Sequence, residues 1–72
     1  MSVVIVRCDM LASVWQLNVV AGDDVQHGDL LVMLESMKME IPVTAPRAGR
    51  VSRVLVREGD SVDEGDPLVE LA

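Results

Sequence analysis

Apolar residues recur along this chain in short, Val-rich bursts, and the bursts come twice. Residues 12–35 laid over residues 49–72, an offset of 37, give 10 identities in 24 positions without a gap. Val14 meets Val51, Val19 meets Val56, and Val25 meets Val62; Leu31, Val32 and Leu34 meet Leu68, Val69 and Leu71. Between the bursts, Gly22-Asp23 meets Gly59-Asp60 and Gly28-Asp29 meets Gly65-Asp66. Each unit reads as strand, turn, turn, strand. Glycine permits the positive φ that such turns require, and aspartate bonds its own backbone. Short Val-rich flanks are strand composition. Helical periodicity is not sustained over 11 residues anywhere.

Neither unit has enough apolar surface to be stable alone. Two such units packed together predict an all-β sandwich or flattened barrel with a pseudo-twofold repeat. A chain of 72 residues is one domain, 1–72, with repeat units at about 12–35 and 49–72. Met1 and the completed second unit are those expected of a whole small protein. A domain of this size buries only about 60% of the surface its unfolded chain exposes, which leaves little stability for an elaborate pocket.

The linker between the units, residues 36–48, maps by the repeat onto the gap between the two chain ends. The pseudo-twofold therefore predicts that the linker's tip lies at one pole and both termini at the other. Residues 32–43 read VMLESMKMEIPV. With Met37-Lys38 as a two-residue hairpin loop, Ser36 faces Met39, Glu35 faces Glu40, Leu34 faces Ile41 and Val32 faces Val43. Val32, Leu34, Ile41 and Val43 then share one face, and a one-residue slip would turn them all to solvent. This register also puts Met39 on the core side.

The loop breaks local rules. Such turns favour Asn-Gly or Gly-containing pairs, because φ must be positive. Glu35 and Glu40 are like charges directly opposite, and Met37 is an apolar side chain at an exposed tip. Departures of this kind concentrate where a site is functional. Lys38 is the only lysine, the other five basic residues being arginines. An amine that is acylated must be accessible and nucleophilic once deprotonated, and arginine cannot take its place.

Charge and composition remove other chemistries. The net charge of −6 lacks the basic footprint of a nucleic-acid binder and disfavours anionic lipid. One His (His27, in a turn-like segment) and one Cys (Cys8) cannot form a Cys/His metal site, and a triad would have to use His27. A single cysteine allows no internal disulfide, which fits a reducing compartment, the cytoplasm. No apolar stretch approaches 18 residues, so a membrane span is unsupported. Trp15, the sole aromatic, is expected to pack; if not, it faces a partner.

Glu35-Ser36-Met37-Lys38-Met39-Glu40 resembles the biotinylation motif of biotin carboxyl carrier domains. The Gly-Asp repeats and the stretch from Ala45-Pro46 to Gly49-x-Val51 look like the rest of the biotinyl/lipoyl attachment fold, so the resemblance covers roughly residues 4–72. It implies two four-stranded antiparallel sheets with the modified lysine on the hairpin between the halves. It implies covalent biotin on Lys38, added by a biotin protein ligase that uses ATP. The arm would then carry a carboxyl group between a biotin carboxylase and a carboxyltransferase, with an acyl-CoA or keto acid as acceptor. The domain itself would be a non-catalytic tether. Met37 and Met39 match the flanking methionines and would help partners engage the hairpin, Met39 in addition to packing. Glu35 and Glu40 are candidates for recognition by the ligase, or else a solvated face. The protruding loop that many biotin carriers have in the first unit is missing, as in short stand-alone biotin/lipoyl attachment proteins. A lipoyl carrier of an oxo-acid dehydrogenase-type complex is the alternative, disfavoured by methionine on both sides of Lys38. An unmodified binding or scaffolding β domain is the alternative of another class. Where the second unit has Gly49 the first has Ala12, so a positive φ at that position would strain Ala12.

Overall fold

In the computed structural model, which describes residues 3–72, eight strands follow one another without a helix. They are β1 (Val4–Arg7), β2 (Ala12–Leu17), β3 (Asp24–Val25), β4 (Leu30–Ser36), β5 (Met39–Thr44), β6 (Gly49–Val54), β7 (Ser61–Val62) and β8 (Pro67–Leu71). They form two four-stranded antiparallel sheets, in the orders β1-β8-β6-β3 and β5-β4-β2-β7. The body is elongated, 36 × 18 × 17 Å.

The repeat governs the backbone more deeply than the pattern of identities. Strands β2, β3 and β4 recur as β6, β7 and β8, and β1 recurs within β5. The hydrogen bonds recur with them. Gly22 N–H donates to Val51 O and Gly59 N–H to Val14 O, both at 2.8 Å. Cys8 N–H donates to Asp66 O at 2.9 Å and Ala45 N–H to Asp29 O at 2.8 Å. These bonds run between the units. Each sheet takes two strands from each half, so the halves interlock instead of stacking side by side.

All four Gly-Asp turns work the same way. Gly22, Gly28, Gly59 and Gly65 have φ between 89° and 99°, which disfavours any residue with a Cβ. The following aspartate carboxylate accepts the N–H three residues back, as Asp23 Oδ2 does from Val20 at 2.9 Å and Asp60 Oδ2 from Arg57 at 2.9 Å. Gly49 is different. It is not in the left-handed region, and neither is Ala12. A Cβ at Gly49 would lie 2.8 Å from Ala72 O and 2.9 Å from Arg47 Nη1, so its need for glycine is one of space, and Ala12 is unstrained.

Between the sheets lies a core of Val and Leu with no buried polar side chain among the described residues. Leu31, Val32 and Leu34 and their mates Leu68, Val69 and Leu71 are fully buried. Two consecutive inward residues depart from strand alternation, and bulges are the reason. Leu30 pairs with Thr44 and Val32 with Val43, which leaves Leu31 as an extra residue; Leu68 is the extra residue between Pro67 and Val69 opposite Arg7 and Val6. No helix is long and apolar enough to cross a membrane among the described residues.

Candidate functional site

Strand β4 begins beside Thr44 and ends at the Lys38 hairpin. The register is the one the sequence predicts: Val32 with Val43, Leu34 with Ile41, Glu35 with Glu40, Ser36 with Met39. Met37 and Lys38 close the turn with φ of 53° and 65°. Two successive left-handed residues give the type I′ twist that matches a right-twisted hairpin. With a Cβ on each, the conformation costs roughly 1–2 kcal/mol per residue. Strand pairing on both sides of β4 holds the loop in place.

The opposite pole is built by the chain ends. Val4 pairs with Leu71, Ala72 N–H donates to Arg50 O at 2.8 Å, and Arg47 Nη1 reaches Ala72 O at 3.3 Å. His27 belongs to that end too, exposed in a turn tied to Ala45 by the Gly28 N–H.

At the Lys38 pole the side chains are open. Lys38, Glu35 and Glu40 are exposed, and Met37 is 91% exposed. Met39 corrects the sequence reading. It shares the side of Ile41 and Val43, yet it is 65% exposed. The core ends at the Leu34–Ile41 row; beyond it Met39 faces Ser36, whose hydroxyl donates to Leu11 O at 3.1 Å. With no apolar layer beneath it, Met39 belongs to the tip. Trp15 is likewise half-exposed, because alternation from the buried Ala12 and Val14 turns it outward; the bulge in which Val14 pairs with Leu34 and Gln16 with Met33 keeps Gln16 on that same outer side.

The structure adds two residues that the sequence reading missed. The β1–β2 loop, held by the Cys8 thiol donating to Met10 O at 2.7 Å, lies alongside the hairpin and leaves Met10 39% and Leu11 68% exposed. Extending the repeat back to Val4 would have signalled them, since it makes this loop the mate of residues 45–48 beside the chain ends.

Chemically, the pole offers one primary amine in a left-handed turn, with exposed Met37 and Met39 on either side of it in the chain, Glu35 and Glu40 paired across the hairpin, and exposed Leu11 tied to Ser36 through its carbonyl. No group of three His, Cys, Asp or Glu side chains that could hold a metal occurs among the described residues. An exposed amine free of neighbouring walls suits a group bonded to it covalently and swung away from the surface.

A protein-family model described as biotin-requiring enzyme, the biotin/lipoyl family, matches residues 6–71. The chain is 48% identical over 67 residues to the biotin/lipoyl attachment protein of Bacillus subtilis (strain 168), covering 93% of this chain and 92% of that one. It is 54% identical over 61 residues to the biotinylated protein TB7.3 homolog of Mycobacterium leprae (strain TN), covering 85% and 86%. Among solved structures, a single-chain, multi-domain long-chain acyl-CoA carboxylase superposes with a TM-score of 0.89 at 38% identity, over 94% of this chain and 7% of that one. This chain therefore belongs to the biotin/lipoyl family. Within it, the chain is a biotin carboxyl carrier domain, with biotin as its covalent cofactor.

Proposed function

We propose that Lys38 is the residue that carries biotin, and that the domain is a non-catalytic carrier serving a biotin carboxylase and a carboxyltransferase. The observation behind this reading is the position of the chain's only lysine, exposed in a left-handed two-residue turn at the pole opposite the chain ends. A biotin protein ligase, spending ATP, would join the biotin carboxyl to Nζ as an amide. The carboxyl would be activated by ATP with release of pyrophosphate, and Nζ would displace AMP as the C–N bond forms, giving up two protons from its ammonium form and with them the positive charge. Bound biotin supplies a ureido nitrogen that takes up and gives up a carboxyl group.

The chain's own part is mechanical. The hairpin fixes the root of the arm, and the body keeps partners at a distance from the core. Tethering raises the local concentration of the carried group at both partner sites to the order of millimolar. Met37 and Met39, exposed on either side of Lys38, engage the partners' apolar surfaces. Glu35 and Glu40 are read by the ligase. Cys8, buried and unpaired, suits the reducing cytoplasm.

The test is incubation with a biotin protein ligase, biotin and ATP, followed by intact mass and peptide mapping. A single adduct on Lys38 and none on Lys38→Arg is expected. Labelling of Lys38→Arg, or labelling by a lipoate ligase and not by the biotin enzyme, overturns the assignment.

A further inference from the structure

Sulfur is spread unevenly over this molecule. The strands of the β1-β8-β6-β3 sheet hold neither methionine nor cysteine. The outer face of that sheet closes on its own residues: Ser52 Oγ donates to Glu70 Oε1 at 2.7 Å and Arg53 Nη2 to Oε2 at 2.8 Å. Every sulfur among the described residues lies in the β4–β5 hairpin or in the β1–β2 loop, whose Leu11 O accepts from the Ser36 hydroxyl.

Exposure of these sulfur residues rises toward Lys38. Cys8 is 3% exposed, and its thiol donates to Met10 O. Met33 is half-buried and Met10 is 39% exposed; Met39 and Met37, on either side of Lys38, are 65% and 91% exposed. The last two have no layer to withdraw into, since the core ends at the Leu34–Ile41 row. The other groups of the tip are polar or charged: Lys38, Ser36, and Glu35 and Glu40, which no ion pair reaches among the described residues. Met37 and Met39 are therefore the hairpin's apolar area beyond the core.

A thioether in open solvent reacts with peroxides. Its sulfur attacks one peroxide oxygen; the S–O bond forms as the O–O bond breaks, sulfur gives up two electrons, and the other oxygen leaves as water. The methionine sulfoxide so made is polar and chiral where the thioether was apolar. Cys8, being buried, does not divert the oxidant. We infer that Met37 and Met39 are a reversible oxidation site: a peroxide converts both to the sulfoxide, and the carrier's partner enzymes then lose their hold on the hairpin. This rests on the proposed role of Lys38 and its partners. Methionine sulfoxide reductases, one for each epimer, return the thioether at the expense of a dithiol and release the oxygen as water. The core does not rest on either side chain, so the switch acts on recognition and not on stability.

Hydrogen peroxide in graded amounts, added to the biotin-free chain and then removed, tests this by peptide mapping. Met37 and Met39 should be oxidised ahead of Met10 and Met33, with Cys8 last and Tm unchanged. The same samples are then acylated with a biotin protein ligase, biotin and ATP, and presented to a biotin carboxylase with ATP and bicarbonate. Adding peroxide before biotin keeps the cofactor's own thioether out of the reaction. With Met37 and Met39 fully converted, the KM for the chain should rise at least about fivefold at one of the two enzymes, and the two reductases together should return it. The variant Met37→Leu, Met39→Leu has no sulfur at the tip, so its KM, whatever the starting value, should not move on the same treatment. A KM change below about fivefold at both enzymes overturns the inference, as does an equal change in the double variant. So does reaction of Met33 or Cys8 before the tip, or a fall in Tm that tracks the rise in KM. An untreated chain that is never acylated on Lys38 fails the proposed function itself, a separate result.

Discussion

The two poles of this molecule have nearly the same backbone and opposite characters. At one, Ala72 is tied to Arg50, and Arg47 folds over its carbonyl beside Gly49. At the other, a continuous hairpin carries Met37, Lys38 and Met39 into solvent, with Met10 in the place that Arg47 holds at the first pole. Symmetry holds wherever the interlocked core requires it: the mated leucines, the four Gly-Asp turns, the bulges. It fails at the surface around Lys38, where apolar residues and uncompensated carboxylates replace arginines and closed pairs. Folding therefore accounts for what the halves share, and the differences mark what one half does for function.

The largest expected effect sharpens the shared part. Leu34→Ala and Leu71→Ala remove mated, fully buried side chains, and each should cost about 2–5 kcal/mol in urea unfolding. Because the halves interlock, both should unfold the molecule in one transition. A biphasic curve, with one half surviving the other, would contradict the interlock.

A smaller effect probes where the poles part. Met37→Asn places a residue that tolerates positive φ in the strained turn and should raise stability by about 1 kcal/mol. The same change should slow ligase acylation of Lys38, which separates a turn selected for folding from one selected for recognition. Unchanged stability with faster acylation would contradict both halves of that statement.

The smallest effect concerns the closed face. Arg53 and Ser52 hold the Glu70 carboxyl below its ordinary value of 4.5, while Glu70 in turn raises Arg53. A carboxylate whose folded pKa is depressed contributes stability above its unfolded value and loses it as pH falls through the folded one. The Tm of Glu70→Gln should therefore lie slightly below wild type at neutral pH, and the gap should close in acid below the usual carboxylate range. A gap that is constant with pH would mean the ion pair contributes nothing. Exposure of Arg53 keeps the effect small.

Much of this was legible in the sequence, for identifiable reasons. A period of 37 residues, punctuated by Gly-Asp, dictates turns wherever it recurs, and alternation around Leu34 and Ile41 leaves the hairpin one register. The interlock was not legible, since the pattern within a unit does not say that β2 also pairs with β7 from the other half. Inward Leu31 and outward Gln16 were hidden for the same cause: each breaks alternation at a bulge, and a period of two cannot register an insertion, whereas outward Trp15 follows the alternation of Ala12 and Val14. Met39 has the parity of a core residue, but parity does not reveal where the core stops. Biotin over lipoate came from the methionines beside Lys38 and from family membership, not from spacing.

The central claim is that one amine, on residue 38, carries the cofactor. Intact mass of the protein isolated from its natural source, followed by peptide mapping, tests it most directly. A single biotinyl amide on Lys38 is the expected result, and a fully unmodified chain, or an adduct on any other residue, would contradict it.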